Sequence, residues 1–133
     1  MFVKVVEYVN SYQEAIKISC EELEQAGFVT PRYYPAILEK IEEFGPYFCI
    51  GENVAMPHAR PEDGVIASNA CILKLNQPVD FLGNEIKLFI TLCAKDSNSH
   101  MELIQKIASI CMNSDVLNKI MYSDNEEDIR KVV

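Results

Sequence analysis

The sequence predicts a single α/β domain, with about five strands in a central sheet and helices on both of its faces. Helical periodicity fills residues 11–45 and returns beyond residue 99. Short strand-like runs occupy residues 47–94, and one of those runs is apolar on both faces. A chain of 133 residues fits one compact domain, and no repeat, linker or low-complexity stretch divides it.

Ser11-Tyr12-Gln13-Glu14 reads as a capping box. Tyr12, Ala15, Ile16, Cys20, Leu23 and Ala26 follow at helical spacing, and Gly27 supplies the stop. Thr30 is read as the cap of a second helix, with Pro31 at its first position; Pro35, one turn on, draws the start of regular helix toward itself. Tyr34, Ile37, Leu38, Ile41 and Phe44 make its apolar face, and Gly45-Pro46 ends it. The strand candidates are 47–50, 54–56, 68–75 and 86–94, with 79–81 a short fifth before the turn at Leu82-Gly83-Asn84. The run 86–93 is apolar on both faces, as a covered central strand requires. Ser99-His100-Met101-Glu102 reads as a second capping box, opening a helix with Leu103, Ile104, Ile107, Ala108 and Cys111 on one face. Short helices are expected at 115–121 and 124–131, the latter opened by Ser123-x-x-Glu126.

Charge narrows the function. Twelve Lys and Arg stand against 20 Asp and Glu, a net charge of −8, which argues against nucleic acid and against anionic membranes. No apolar run approaches the length of a membrane span, and residues 1–10 lack signal-peptide organisation. The five cysteines are irregularly spaced with no C-x-x-C pair, so buried, reduced thiols and a cytoplasmic location are expected.

The chemistry concentrates on the two histidines. His58 lies between Pro57 and Pro61, which fix their own φ and push Met56 and Arg60 toward extended geometry. A histidine on so stiff a segment loses little freedom when a partner arrives. Its neutral imidazole offers one lone pair to phosphorus, while a hydrogen bond at the other nitrogen selects the tautomer. Arg60, two residues on, shares a face with His58 in extended chain and is a candidate phosphate contact. His100 falls in the first turn of a helix, where N–H groups and the helix dipole favour an anion, and Asp96, Ser97, Asn98 and Ser99 lead into it. Ser99 is a second candidate phosphate contact. Two histidines so placed can face one phosphoryl group, one carrying it and one stabilising it.

The plain alternatives are a structural loop around His58 and a simple helix start at His100. A two-histidine metal site with Glu62, Asp63 or Asp96 has no ligand spacing behind it, and a Cys–His hydrolase lacks an exposed thiol. Neither a cofactor nor a metal is expected. Glu62-Asp63-Gly64 reads as a turn toward the next strand.

At Gly51-Glu52-Asn53-Val54-Ala55-Met56-Pro57-His58-Ala59-Arg60 the chain resembles the mannitol/fructose-type enzyme IIA components of the bacterial phosphoenolpyruvate-dependent sugar phosphotransferase system. The likeness extends through Gly27-Phe28-Val29-Thr30, Tyr34-Pro35-Ala36-Ile37-Leu38 and Ser99-His100-Met101-Glu102-Leu103-Ile104. Glu42 to Tyr47, Met56 to Val65 and Asp96 to His100 resemble the ascorbate-type branch in particular. The resemblance implies a mixed sheet and a phosphocarrier role, with His58 the phosphorylated nucleophile and His100 the stabilising partner. It also implies the histidine phosphocarrier protein as donor, a cysteine of an enzyme IIB as acceptor, and a membrane enzyme IIC served indirectly. Many relatives carry an arginine where this chain has Lys40 within Leu38-Glu39-Lys40-Ile41. Lys40 keeps the charge without the bidentate fork, so it is assigned no role and Arg60 is the candidate replacement. The alternative function is a regulatory enzyme IIA-like module, whose phosphorylation state controls a target protein.

Overall fold

A computed structural model describes residues 1–133. Five strands, β1 (Phe2–Val6), β2 (Cys49–Gly51), β3 (Val54–Ala55), β4 (Asn69–Phe81) and β5 (Asn84–Cys93), form one sheet in the order β1-β4-β5-β3-β2. The sheet is mixed. β1 runs parallel to β4 and β3 parallel to β5, whereas β4–β5 and β2–β3 are antiparallel. Helices α1 (Tyr12–Gln25) and α2 (Tyr33–Phe44) cover one face, and α3 (Ser97–Met112), α4 (Ser114–Tyr122) and α5 (Glu126–Arg130) cover the other.

β5 sits between these layers. Phe89 and Cys93 pack with Ile16, Leu23, Ile37 and Ile41 of α1 and α2. Leu88, Ile90 and Leu92 pack with Ile107, Ile110, Ile120 and Ile129 of the later helices. Each fully buried aliphatic or aromatic side chain contributes roughly 1.5–3 kcal/mol. Intrinsic strand preferences span only about 1 kcal/mol. Burial on both faces therefore decides where β5 lies, and no helix is long and apolar enough to cross a membrane.

Several boundaries differ from expectation, each for a local reason. The expected fifth strand at 79–81 is the far end of β4, which loses register between Lys74 and Val79 and then pairs again with β5. The actual fifth strand is β1, whose partners begin at Cys71. Helix α2 begins at Tyr33 rather than at Pro31: the Tyr33 N–H bonds the Thr30 main-chain carbonyl at 3.1 Å in a turn, and Arg32 takes the cap position with no side-chain cap bond. Pro35 is then the third residue of α2, where an N–H would have no helical partner anyway. Helix α3 starts two residues before Ser99, capped by Asp96, whose carboxylate accepts the Ser99 N–H at 2.8 Å. Asn125, not Ser123, caps α5. Ser11 caps α1 as expected, accepting the Glu14 N–H at 3.1 Å.

One turn fixes the entry to the site. Residues Pro61–Asp63 form a 3-10 turn that ends at Gly64, with φ of +114°. A Cβ built at Gly64 would lie 2.2 Å from the Thr30 hydroxyl oxygen. Only glycine accepts both the left-handed backbone and this approach. Gly64→Ala is therefore expected to destabilise the protein by about 1–3 kcal/mol. A lowered urea midpoint checks it, and a midpoint equal to that of the parent would show that Thr30 yields freely.

Candidate functional site

The segment from Met56 to Arg60 leaves the end of β3 and continues alongside β5. Its ladder there includes the Leu92 N–H donating to the Pro57 carbonyl at 3.1 Å. The Met56 N–H is taken by the Phe48 carbonyl at 2.8 Å, so the chain just before His58 is held from both sides. His58 Nδ1 lies 3.0 Å from the Met56 carbonyl oxygen. A carbonyl only accepts, so Nδ1 carries the proton and Nε2 keeps its lone pair. The buried ring of Phe48 packs edge-on against the imidazole, with centroids 5.1 Å apart.

Burial lowers the pKa of His58 below its usual value, and the nearby His100 adds to this; the Met56 hydrogen bond opposes it in part. The net result is an imidazole that stays neutral to lower pH than an ordinary histidine. Neutrality and a chosen tautomer are what a nitrogen nucleophile requires.

His100 is the second imidazole at the site. Its ring centroid is 5.6 Å from that of His58. Its position follows from the end of β5: Cys93 leads through Ala94 and Lys95 to the Asp96 cap, and the His100 N–H bonds the Asp96 carbonyl at 3.0 Å. The two rings open onto a cavity of about 890 Å³, whose lining includes His58, His100, Arg60, Lys40, Asp96 and Ser97. Exposed Phe44, Tyr47 and Met101 form an apolar part of its wall.

Arg60 reaches the cavity, but its Nε also lies 3.5 Å from both Glu62 and Asp63. It is a shared cation rather than a free one. Ser99 does not line the cavity, and its N–H is spent on the Asp96 cap; Ser97, two residues earlier, lines it instead. Asp96 also changes the reading of the helix start. The Ser99 N–H holds its carboxyl below the usual carboxylate range, so an anion already occupies that end of the dipole. Lys40, which the sequence reading left without a role, lines the cavity with its Nζ 5.9 Å from the centre of the Phe44 ring. Its signal was available, because it is the charged residue that stands where relatives carry arginine.

Other chemistry has little to work with. All five cysteines are free thiols. Burial pushes the Cys93 thiol up to about 11 and that of Cys71 up to about 12, so neither offers a thiolate near neutrality. No group of three or more His, Cys, Asp or Glu side chains is arranged to hold a metal ion.

A mixed α/β sheet that presents a neutral histidine to a second histidine across a partly cationic cavity suits a phosphoryl-handling protein. The chain belongs to the family described as the phosphoenolpyruvate-dependent sugar phosphotransferase system, EIIA 2, whose model matches residues 2–133. It is 35% identical over 127 residues to the ascorbate-specific PTS system EIIA component of Escherichia coli K12, covering 92% of this chain and 82% of that protein. A relative of the same description from Salmonella choleraesuis is 43% identical over 97 residues, which are 71% of this chain and 63% of that protein. Among solved structures, the mannitol-specific cryptic phosphotransferase enzyme IIA CmtB of E. coli superposes with a TM-score of 0.90 at 32% identity, covering 97% of this chain and 89% of that one.

The electrostatics of the pair are directly measurable. His58 is expected to titrate below about 6.5. The ring proton signals in an NMR pH series report this. His100→Gln should move the His58 titration upward, since His100 is one cause of the depression. A His58 midpoint at or above the ordinary value would contradict the burial argument.

Proposed function

We propose that this protein is a phosphoryl carrier in which His58 accepts phosphate on Nε2 and passes it toward uptake of ascorbate or a related sugar acid. The observation that carries the reading is the Met56 carbonyl on Nδ1, 3.0 Å away, which leaves Nε2 as the free lone pair beside His100. The donor is the histidine phosphocarrier protein, the acceptor a cysteine of an enzyme IIB, and a membrane enzyme IIC benefits indirectly. The reaction takes place in the cytoplasm. The ascorbate-specific names of the relatives support the substrate class.

In the first step the Nε2 lone pair attacks phosphorus in line. The phosphorus–nitrogen bond of the donor breaks, and its electron pair returns to the donor imidazole. His58 Nδ1–H remains bonded to the Met56 carbonyl and stabilises the positive charge that develops on the ring. In the second step the acceptor thiolate attacks, a sulfur–phosphorus bond forms, and the electrons of the His58 bond return to Nε2. Little covalent chemistry is asked of the protein, so positioning and electrostatics carry the catalysis.

A phosphoryl group adds negative charge to a chain whose net charge is already −8. Local charge decides the outcome. Two unit charges about 4 Å apart interact by ~4 kcal/mol at a partly exposed site. Charges beyond ~8 Å are largely screened at physiological salt. Lys40 and Arg60 are the cations in the cavity lining, and Lys40 carries no ion pair of its own, whereas Arg60 is shared with Glu62 and Asp63. Exposed Phe44, Tyr47 and Met101 give a partner protein apolar surface to bury around the reacting atoms.

Incubation with phosphoenolpyruvate, enzyme I and the histidine phosphocarrier protein is expected to give an acid-labile, alkali-stable label on the parent and none on His58→Ala. Label on His58→Ala equal to the parent would exclude His58 as the carrier. His100→Ala should still accept phosphate, more slowly, but pass it poorly to enzyme IIB; transfer at the parental rate would remove His100 from the mechanism. Labelling should persist below pH 6.5 and fall only as protonation of His58 removes the lone pair, because its pKa is lowered. Failure of every enzyme IIB to drain the label, together with a phosphorylation-dependent complex with a regulator, would favour the regulatory alternative.

A further inference from the structure

The pairing of β3 with β5 has a fault beside His58. Val54 pairs with Leu88 and Ala55 with Phe89, a parallel register that, extended by three residues, sets His58 opposite Leu92. In a parallel ladder the residue opposite His58 would bond both flanking peptides: its N–H to the Pro57 carbonyl, its carbonyl to the Ala59 N–H. The first bond is present at 3.1 Å. The second is replaced. The Ala59 N–H donates to the hydroxyl oxygen of Tyr33 at 3.0 Å, and that hydroxyl donates to the Leu92 carbonyl at 2.7 Å. A second acceptor for the same proton, the Ala59 carbonyl, lies further off at 3.4 Å.

We propose that Tyr33 is a positioning residue, whose hydroxyl is wedged into the ladder at His58 and sets how the His58 segment and the β5–α3 connection meet. The inference rests on the phosphocarrier reading of His58. One rung holds the two chains at direct ladder distance on the Pro57 side, while the next holds them a hydroxyl's width apart on the Ala59 side. The segment is thus splayed off β5 at the histidine itself. The other end of the same bridge is Leu92, two residues before β5 gives way to the connection that carries Asp96 and His100. A single buried oxygen from α2 therefore links the strands behind both histidines.

The burial of Tyr33 makes the bridge durable. Its side chain is fully enclosed, and no water competes for either bond. Burial also raises the phenol pKa, so the hydroxyl proton needed by Leu92 is retained throughout the working range. Removing the oxygen leaves two responses: the Ala59 N–H and the Leu92 carbonyl stay unpaired, or they close directly and draw His58 toward β5. Either changes the relation of His58 to His100. A misplacement of about 1 Å can cost on the order of 100-fold in rate.

Tyr33→Phe and Tyr34→Phe make a matched test. Tyr34 neighbours Tyr33 on α2, but its hydroxyl bonds the Gln13 carbonyl at 3.2 Å, away from the histidines. With the histidine phosphocarrier protein as donor, Tyr33→Phe should lower kcat about tenfold with KM for the donor unchanged, a part of the full misplacement cost. It should also shift the His58 ring titration and speed hydrogen exchange at the Ala59 amide. Tyr34→Phe should leave kcat and the His58 titration as in the parent. A Tyr33→Phe protein with kcat within about twofold of the parent, well short of a positional effect, overturns the proposal. Equal losses in both variants also overturn it, as does a Tyr33→Phe chain that fails to fold, because the hydroxyl would then support the fold and not the histidine pair. If instead the parent takes no label on His58, it is the phosphocarrier reading that fails.

Discussion

The hydrogen bond from His58 Nδ1 to the Met56 carbonyl, 3.0 Å long, is the interaction on which the rest of the site depends. It selects one tautomer of a ring that otherwise interconverts freely, and so decides which nitrogen faces the cavity. The bond needs a backbone that cannot drift. Pro57 and Pro61 limit the segment locally, the Phe48 carbonyl holds the Met56 N–H, and the Leu92 N–H holds the Pro57 carbonyl. Phe48 adds an apolar wall that keeps the ring from turning and removes water from one side. Burial then lowers the histidine's pKa, so the geometry and the protonation state favour the same neutral ring with Nε2 unprotonated.

β5 supplies the shared reference for both histidines. Side chains on its two faces lock it between helical layers, so its C-terminal end is among the least mobile places available to the chain. His58 is carried on the extended segment beside it, and His100 follows from the helix that starts just after it. The placement matches the general preference of open α/β sheets for ligands at strand C-termini. The cations arrive separately, Lys40 from α2 and Arg60 from the segment after His58, so three parts of the chain converge on one cavity. Arg60 remains tied to Glu62 and Asp63, whereas Lys40 has no ion pair and is the freer charge. For the proposed phosphocarrier role that division is useful, because a group held too tightly would not be passed on.

What was legible in the sequence was mostly local. The stiffness around His58 follows from two prolines within four residues of each other, and the place of His100 in a first helical turn follows from the polar run ahead of it. The layered fold was legible because α1 and α2 carry helical periodicity and β5 is a short run apolar on both faces. Features that depend on distant partners were not. β1 pairs with residues from Cys71 onward, and nothing within Phe2–Val6 announces that partner. Thr30 resembles a cap, yet the chain makes another turn and Arg32 takes the cap position; Ser99 resembles one, yet Asp96 does the capping. Tyr34 fits the apolar spacing of α2, yet it is Tyr33 that is fully enclosed, with its hydroxyl turned to Ala59 and Leu92. Lys40 falls on a helix face that periodicity marks only as polar, so its approach to His58 is a tertiary fact.

The central claim concerns one atom, Nε2 of His58. The most direct test is phosphorus-coupled nitrogen NMR of the 15N-histidine-labelled protein after phosphorylation by its donor. The account predicts a single phosphoryl group bonded to Nε2 of His58, with Nδ1 still protonated. Phosphate on Nδ1, on His100, or on a residue other than histidine would contradict it.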